Sequence, residues 1–135
     1  MAELESGLNF KIGTDICSIA RIEKVYNRFG DKFFKKILTE DETVYVLSAR
    51  HHMLSRLAVR FAAKEATVKA LGTGFRSISF KEVEVCRKAS GEPSIKLHGR
   101  ALERAAKLGL TRFEVSLSHE TDYAVAFVIA YGQSL

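Results

Sequence analysis

The chain has no tryptophan, one proline and only two cysteines in 135 residues. Cys17 and Cys86 are isolated, with neither Cys nor His at metal-ligand spacing beside them. They therefore offer no disulfide framework and no thiolate metal site, and read as small, reduced, buried or half-buried residues. Long apolar runs are missing too. The longest, Tyr123 to Tyr131, falls well short of the roughly 18–20 residues that a membrane-spanning helix needs. Met1 to Gly7 is acidic and has no apolar centre, which excludes a secretion signal there and predicts a mobile segment before a single domain over residues 8–135. Repeats, linkers and low-complexity stretches are absent. A cytoplasmic protein without a membrane role is expected.

What is present is ordinary globular material, 47% hydrophobic and 27% charged, enough for one core. The formal net charge of +5 favours an anionic partner: nucleic acid, anionic lipid, an acidic protein or a phosphorylated small molecule.

Leu8 to Ile16 alternates, with Leu8, Phe10, Ile12 and Ile16 on one face and Asn9, Lys11 and Asp15 on the other; this is a strand pattern. A helix capped by Ser18 follows, with Ile19, Ile22, Val25, Tyr26 and Phe29 at helical spacing and Gly30 as its stop. Asp31 to Leu38 reads as a helical turn. Thr39 and Glu42 form a capping box that starts a helix running to about Ala49. The longest helix is expected from about His52 to Leu71, with Leu54, Leu57, Phe61 and Val68 as its apolar stripe and Gly72 and Gly74 as its end. Strands are then expected over Phe80–Cys86 and Ser94–Leu97, a short helix over Arg100–Leu108, and a hairpin of Phe113–Leu117 with Tyr123–Tyr131. This order predicts a small α+β domain with an antiparallel sheet and a long central helix.

Three features suggest chemistry. Asp15 stands in a strand, where aspartate is depleted; a solvated strand end is the plain alternative. Glu65 shares a helix face with Phe61 and Val68, so its carboxylate must be paired, metal-bound or protonated. Pairing with Lys69, one turn on, competes with a metal role. Two carboxylates from separate elements suit Mg²⁺, which prefers oxygen ligands and completes its shell with water and substrate phosphates. Arg60, Lys64 and Lys69, followed by Gly72-Thr73-Gly74, suit a polyphosphate, although a basic helix is more often a solvated face. Third, Ser118-His119 ends a strand just before a turn, where a hydroxyl beside an imidazole can hold a phosphate or be merely structural. His51, His52 and His98 show no metal-binding pattern.

Three segments resemble one family in its own order. They are Ile12-Gly13-Thr14-Asp15-Ile16, then Arg60-Phe61-Ala62-Ala63-Lys64-Glu65-Ala66 continuing to Lys69-Ala70-Leu71-Gly72-Thr73-Gly74, then Ser116-Leu117-Ser118-His119. The family is the holo-acyl-carrier-protein synthases, the small bacterial 4′-phosphopantetheinyl transferases, and the middle segment is the most specific. The resemblance implies that Asp15 and Glu65 hold magnesium, that Lys69 lies near the pyrophosphate of coenzyme A, and that Arg60, Ser118 and His119 help hold the nucleotide, including its 3′-phosphate; Lys64 and Gly72 are expected as further coenzyme contacts, and Glu65 and Lys69 are expected to act in catalysis. It implies that Arg21 meets an acidic acyl carrier protein, with Arg28, Lys32 and Phe33 extending that patch. It also implies a homotrimer whose active sites lie at subunit boundaries. Arg50 to Ser55, with its His51-His52 pair, departs from a tight match and receives no role.

The expected reaction moves 4′-phosphopantetheine from coenzyme A to a carrier-protein serine and releases adenosine 3′,5′-bisphosphate. Two rivals are a basic nucleic-acid-binding module and a magnesium-dependent phosphohydrolase. The chain shows no common nucleic-acid recognition motif, which counts against the first and against nucleic acid as a partner.

Overall fold

A computed structural model describes residues 8–133; the expected mobile segment Met1 to Gly7 lies outside them. The order is β1 (Leu8–Ser18), α1 (Ile19–Phe29), α2 (Asp31–Ile37), α3 (Glu40–Leu47), a 3-10 turn (Arg50–His52), α4 (Met53–Leu71), β2 (Val83–Arg87), β3 (Pro93–Leu97), α5 (Gly99–Lys107), β4 (Arg112–His119) and β5 (Tyr123–Gln133). β5 is the central strand of an antiparallel sheet ordered β1-β5-β4, and β2 and β3 form a separate hairpin. This is the α+β domain expected.

Local signals set most of the boundaries. The Ser18 hydroxyl accepts from the Arg21 N–H and opens α1, and Gly30 closes it with a positive φ of 53°. The capping box at Thr39 and Glu42 is formed, with both reciprocal hydrogen bonds in place. One boundary differs from the sequence pattern. Phe80–Glu82 is a 3-10 turn rather than strand, because Ser79 and Glu82 make a second capping box that curls the chain before β2.

α4 is the axis of the molecule. It is buried on most sides rather than along one stripe, from Leu57 to Leu71. It lies on β1 and β5, where Ala124, Ala126, Val128 and Ala130 are fully buried and small enough to admit a helix at close range. At Gly13 the approach is closest: a Cβ there would stand 1.8 Å from the Ala66 carbonyl oxygen, so only glycine fits. α1, α2 and α3 pack on the N-terminal half of α4, while α5, β2 and β4 complete the core around its C-terminal half.

The sheet turns the more apolar face of β1 away from the core. β1 turns Gly13, Asp15 and Cys17 toward α4, and leaves Leu8, Phe10, Ile12 and Ile16 outside. On β5, Tyr123, Val125, Phe127 and Ile129 are exposed on the same side, in register with them: Ile12 pairs with Ile129 and Ile16 with Val125. A continuous apolar sheet face is therefore presented to the outside of the protomer. No described helix is long and apolar enough to cross a membrane.

Candidate active site

Asp15 sits on the helix-facing side of β1 because the strand's period of two puts it with Gly13 and Cys17. The close approach at Gly13 brings the strand backbone against α4 next to Glu65 and Lys69, which share a helix face at i and i+4. Lys69 does not pair with Glu65, the alternative left open by the sequence. Its ammonium crosses to β1, donating to the Asp15 carboxylate at 3.1 Å and to the Thr14 carbonyl at 2.9 Å.

Glu65 is half-buried, without a direct hydrogen bond among those the structure gives. Burial raises its pKa above the usual carboxylate range, the Asp15 charge pushes in the same direction, and Lys69 partly opposes them. Cys17, beside them, is pushed up to about 11, first by burial and then by Asp15. Its thiol donates to the Ala58 carbonyl and stays protonated at neutral pH, so it is no nucleophile. Asp15, Cys17, Ser18, Arg21, Phe61 and Glu65 line one cavity of about 430 Å³.

Two carboxylates facing one cavity, with Asp15 raising the proton affinity of Glu65, are suited to a cation. Among the described residues no three side chains of His, Cys, Asp or Glu converge as a metal cage. A two-carboxylate site suits Mg²⁺, which takes its other ligands from water and phosphate, and fits this donor set better than zinc or calcium.

The remaining candidate residues divide. Arg60 and His119 line a second cavity of about 260 Å³, together with Tyr45, Arg56 and Arg87; it shares no lining residue with the first. Ser118 is exposed on the sheet's outer face, paired with Val125. Gly72 caps α4 in the left-handed conformation, φ 74°, and lines a shallow depression with Thr73, Gly74 and Arg104. Arg28 lies over the Phe29 ring, and Lys32 flanks an apolar groove formed by Val25, Phe29 and Ile37. Phe33 is buried against Phe61 and forms a wall between groove and cavity, so it is not an exposed docking contact.

Lys64 requires a correction. Expected as a coenzyme contact, it is instead fully buried, and its ammonium donates to Glu42 at 2.8 Å and to the carbonyls of Phe80 and Val83. With three donors all engaged, it has none left for a phosphate.

Sequence reasoning missed Tyr45, Arg56 and Arg87. Arg56 stands at i−4 from Arg60, a spacing that did carry a signal. Tyr45 and Arg87 reach the same cavity from α3 and β2, and only the tertiary structure brings them there.

Residues 11–128 match the family profile of the 4′-phosphopantetheinyl transferase superfamily. The chain is 47% identical over 122 residues to a holo-[acyl-carrier-protein] synthase of Gloeobacter violaceus, covering 90% of this chain and 92% of the relative. It is 46% identical over 123 residues to one of Serratia proteamaculans, covering 90% and 96%. The crystal structure of holo-[acyl-carrier-protein] synthase from Neisseria meningitidis superposes with a TM-score of 0.80 at 40% identity, covering 89% and 96% of the two chains. The Helicobacter pylori enzyme in complex with coenzyme A superposes with a TM-score of 0.77 at 34% identity, covering 88% and 98%.

Proposed function

The chain belongs to the 4′-phosphopantetheinyl transferase superfamily, and from that membership we propose that it transfers 4′-phosphopantetheine from coenzyme A to a serine of apo acyl carrier protein. Adenosine 3′,5′-bisphosphate is the second product. The observation that carries this reading is the meeting of Asp15, Glu65 and Lys69 across the β1–α4 contact, in a cavity that opens beside Arg21. Mg²⁺, when bound by Asp15 and Glu65, supplies charge neutralisation and polarises the phosphate oxygens of coenzyme A.

The chain's own groups account for the rest. The serine hydroxyl forms a new oxygen–phosphorus bond to the β-phosphate, and the bridging oxygen leaves with adenosine 3′,5′-bisphosphate. Lys69, held beside Asp15, stabilises the negative charge growing on that oxygen. Glu65, the carboxylate that faces Asp15 across the cavity, accepts the serine proton. Transfer of this kind needs alignment and charge neutralisation above all, and the rigid β1–α4 contact supplies alignment. The direct test incubates the protein with coenzyme A, Mg²⁺ and apo carrier protein and weighs the carrier by mass spectrometry. A carrier that gains no phosphopantetheine rejects the transferase, and release of the nucleotide without a carrier would favour the phosphohydrolase.

The working form is a homotrimer in the cytoplasm, with the nucleotide held between copies. The exposed apolar face of β1 and β5 supports this, since Ile16 is 64% and Phe10 58% exposed in the isolated protomer. So does the separation of the Arg60–His119 cavity from the Asp15–Glu65 cavity, which a neighbouring copy would bridge. Phe127→Asp, on the outer face of the central strand, should leave the protomer folded by circular dichroism. It should shift sedimentation from trimer to monomer and abolish transfer. A variant that remains trimeric would place the interface elsewhere.

Arg21 lines the catalytic cavity from the first turn of α1 and is the residue best placed to meet an acidic carrier there. Arg21→Glu should raise the carrier's KM about tenfold or more, and leave the KM for coenzyme A within about twofold. The wild-type rate should fall with added salt. A matching rise in the coenzyme's KM would move the carrier surface away from α1.

A further inference from the structure

Lys69 is tied to β1 at two points. Its ammonium donates to the Asp15 carboxylate at 3.1 Å and to the Thr14 carbonyl at 2.9 Å. The Thr14 hydroxyl in turn donates to the Ala126 carbonyl, which fixes the strand carrying both acceptors. Lys69 stands in the last turn of α4, where the helix dipole favours a cation. It is also near enough to Glu65 to oppose the rise in that residue's pKa. One ammonium therefore acts on both carboxylates of the cavity.

This contact contributes little to folding. The Lys69 side chain is 53% exposed, and an ion pair so open to water is only weakly stabilising. Its larger effect is on the charge of the cavity. Two carboxylates and one ammonium leave a single net negative charge, half of what a divalent cation carries. A cation held by Asp15 and Glu65 would share the Asp15 carboxylate with an ammonium of its own sign. Like charges a few ångströms apart repel most where water is partly excluded. Arg21 lines the same cavity, forms no ion pair with either carboxylate among the described residues, and adds to the positive side. A diphosphate reverses the balance. Its oxygens accept hydrogen bonds from the ammonium and coordinate the cation, so the two positive groups share one counter-ion.

We propose that Lys69 couples the two ligands of this site: it weakens the hold of Asp15 and Glu65 on a divalent cation alone, and the diphosphate of the coenzyme removes that penalty, so that the protein takes up cation and coenzyme together. The identity of the diphosphate rests on the transferase reading; the repulsion does not. Coupling is reciprocal, so the cation raises the affinity for the coenzyme by the same factor. Adenosine 3′,5′-bisphosphate has no diphosphate bridge. The coupling therefore lapses once transfer has occurred, which favours release of product and cation.

The test is calorimetry with Mn²⁺ as the probe for Mg²⁺, on wild type, Lys69→Met and Lys69→Arg, first with the metal alone and then with saturating coenzyme A. Lys69→Met should bind the metal alone about tenfold more tightly than wild type. Lys69→Arg, which keeps the charge, should stay within about threefold of wild type. Coenzyme A should raise the metal affinity of wild type about tenfold more than it raises that of Lys69→Met. Circular dichroism checks that the variants fold, and Lys69→Gln carries the same comparison should Lys69→Met fail to. A folded neutral variant that binds the metal alone no more tightly than wild type would overturn the inference. So would an equal gain from coenzyme A in both proteins. A wild type that transfers nothing would reject the transferase reading, while the comparison with metal alone would still decide on the repulsion.

Discussion

Replacing either carboxylate of the β1–α4 cavity should abolish transfer and leave the fold intact. Asp15→Ala and Glu65→Ala are each expected to lower kcat by about a thousandfold or more, because each removes half of the proposed cation site and Glu65 also removes the base. The stability outcome distinguishes this from simple damage. Glu65 has its pKa raised by burial and by Asp15, so its charged form is disfavoured in the folded protein. The stability that its raised pKa contributes is present below the unfolded pKa and lost as pH rises through the folded one. Above both pKa values, where both states are ionised, Glu65 therefore opposes folding. Glu65→Gln should melt, without metal, at the same temperature as wild type or slightly higher, even as its activity disappears. The two carboxylates also predict a pH dependence for metal binding. Mg²⁺ must displace the proton that Glu65 retains more tightly than an ordinary glutamate, so calorimetric affinity should weaken as pH falls toward that raised pKa. Full activity in either alanine variant, or a metal affinity independent of pH, would remove the magnesium model.

The elements themselves were legible where local chemistry decides them. Ser18, Gly30, Thr39 with Glu42, and Gly72 act through backbone hydrogen bonds within a few residues, and each ends or begins a helix as its residue type dictates. The same holds for Glu65 and Lys69, whose shared helix face follows from spacing alone. That Lys69 would pair with Asp15 and not with Glu65 was not legible, because it depends on β1 lying against α4 at Gly13.

The sheet shows why periodicity identifies a strand yet leaves its orientation open. β1 alternates cleanly, and the ordinary inference assigns its apolar side to the core. Here the side with Gly13, Asp15 and Cys17 faces α4, because the helix packs too closely at Gly13 for larger groups. Leu8, Phe10, Ile12 and Ile16 are left outside. A period of two cannot distinguish a face buried within one chain from a face buried between copies. The exposed apolar row on β5, in register with it, is the observation behind the proposed trimer, and it becomes visible only once the two strands are paired.

Lys64 makes the same point energetically, and its removal should produce the largest loss of stability in the molecule. On α4 it is indistinguishable by type from Arg60 and Lys69, yet the three meet entirely different partners. Lys64 is fully buried, and its partner Glu42 lies 22 residues earlier. Glu42 also satisfies the Thr39 and Val85 N–H groups, so a residue readable as a helix cap proves to be the counter-ion as well. Burial lowers the Lys64 pKa, while the Glu42 charge and hydrogen bond act to raise it. Lys64→Met keeps the volume but leaves a buried carboxylate without its cation and two carbonyls, of Phe80 and Val83, without their donor. Breaking a buried pair from one side typically costs about 3–5 kcal/mol. For a domain of this size that corresponds to a melting temperature lower by roughly 10–20 °C. Pairing Lys64→Met with Glu42→Leu should recover only part of this. The ion pair would be gone from both sides, but the Thr39 and Val85 N–H groups would lose their acceptor and the Phe80 and Val83 carbonyls the Lys64 donor, the Phe80 carbonyl keeping only the Val83 N–H. Melting both variants and wild type at one protomer concentration, so that assembly does not enter the comparison, checks the claim. A single variant within about 1 kcal/mol of wild type would show that Lys64 is not the ammonium that ties α3 and β2 to the central helix.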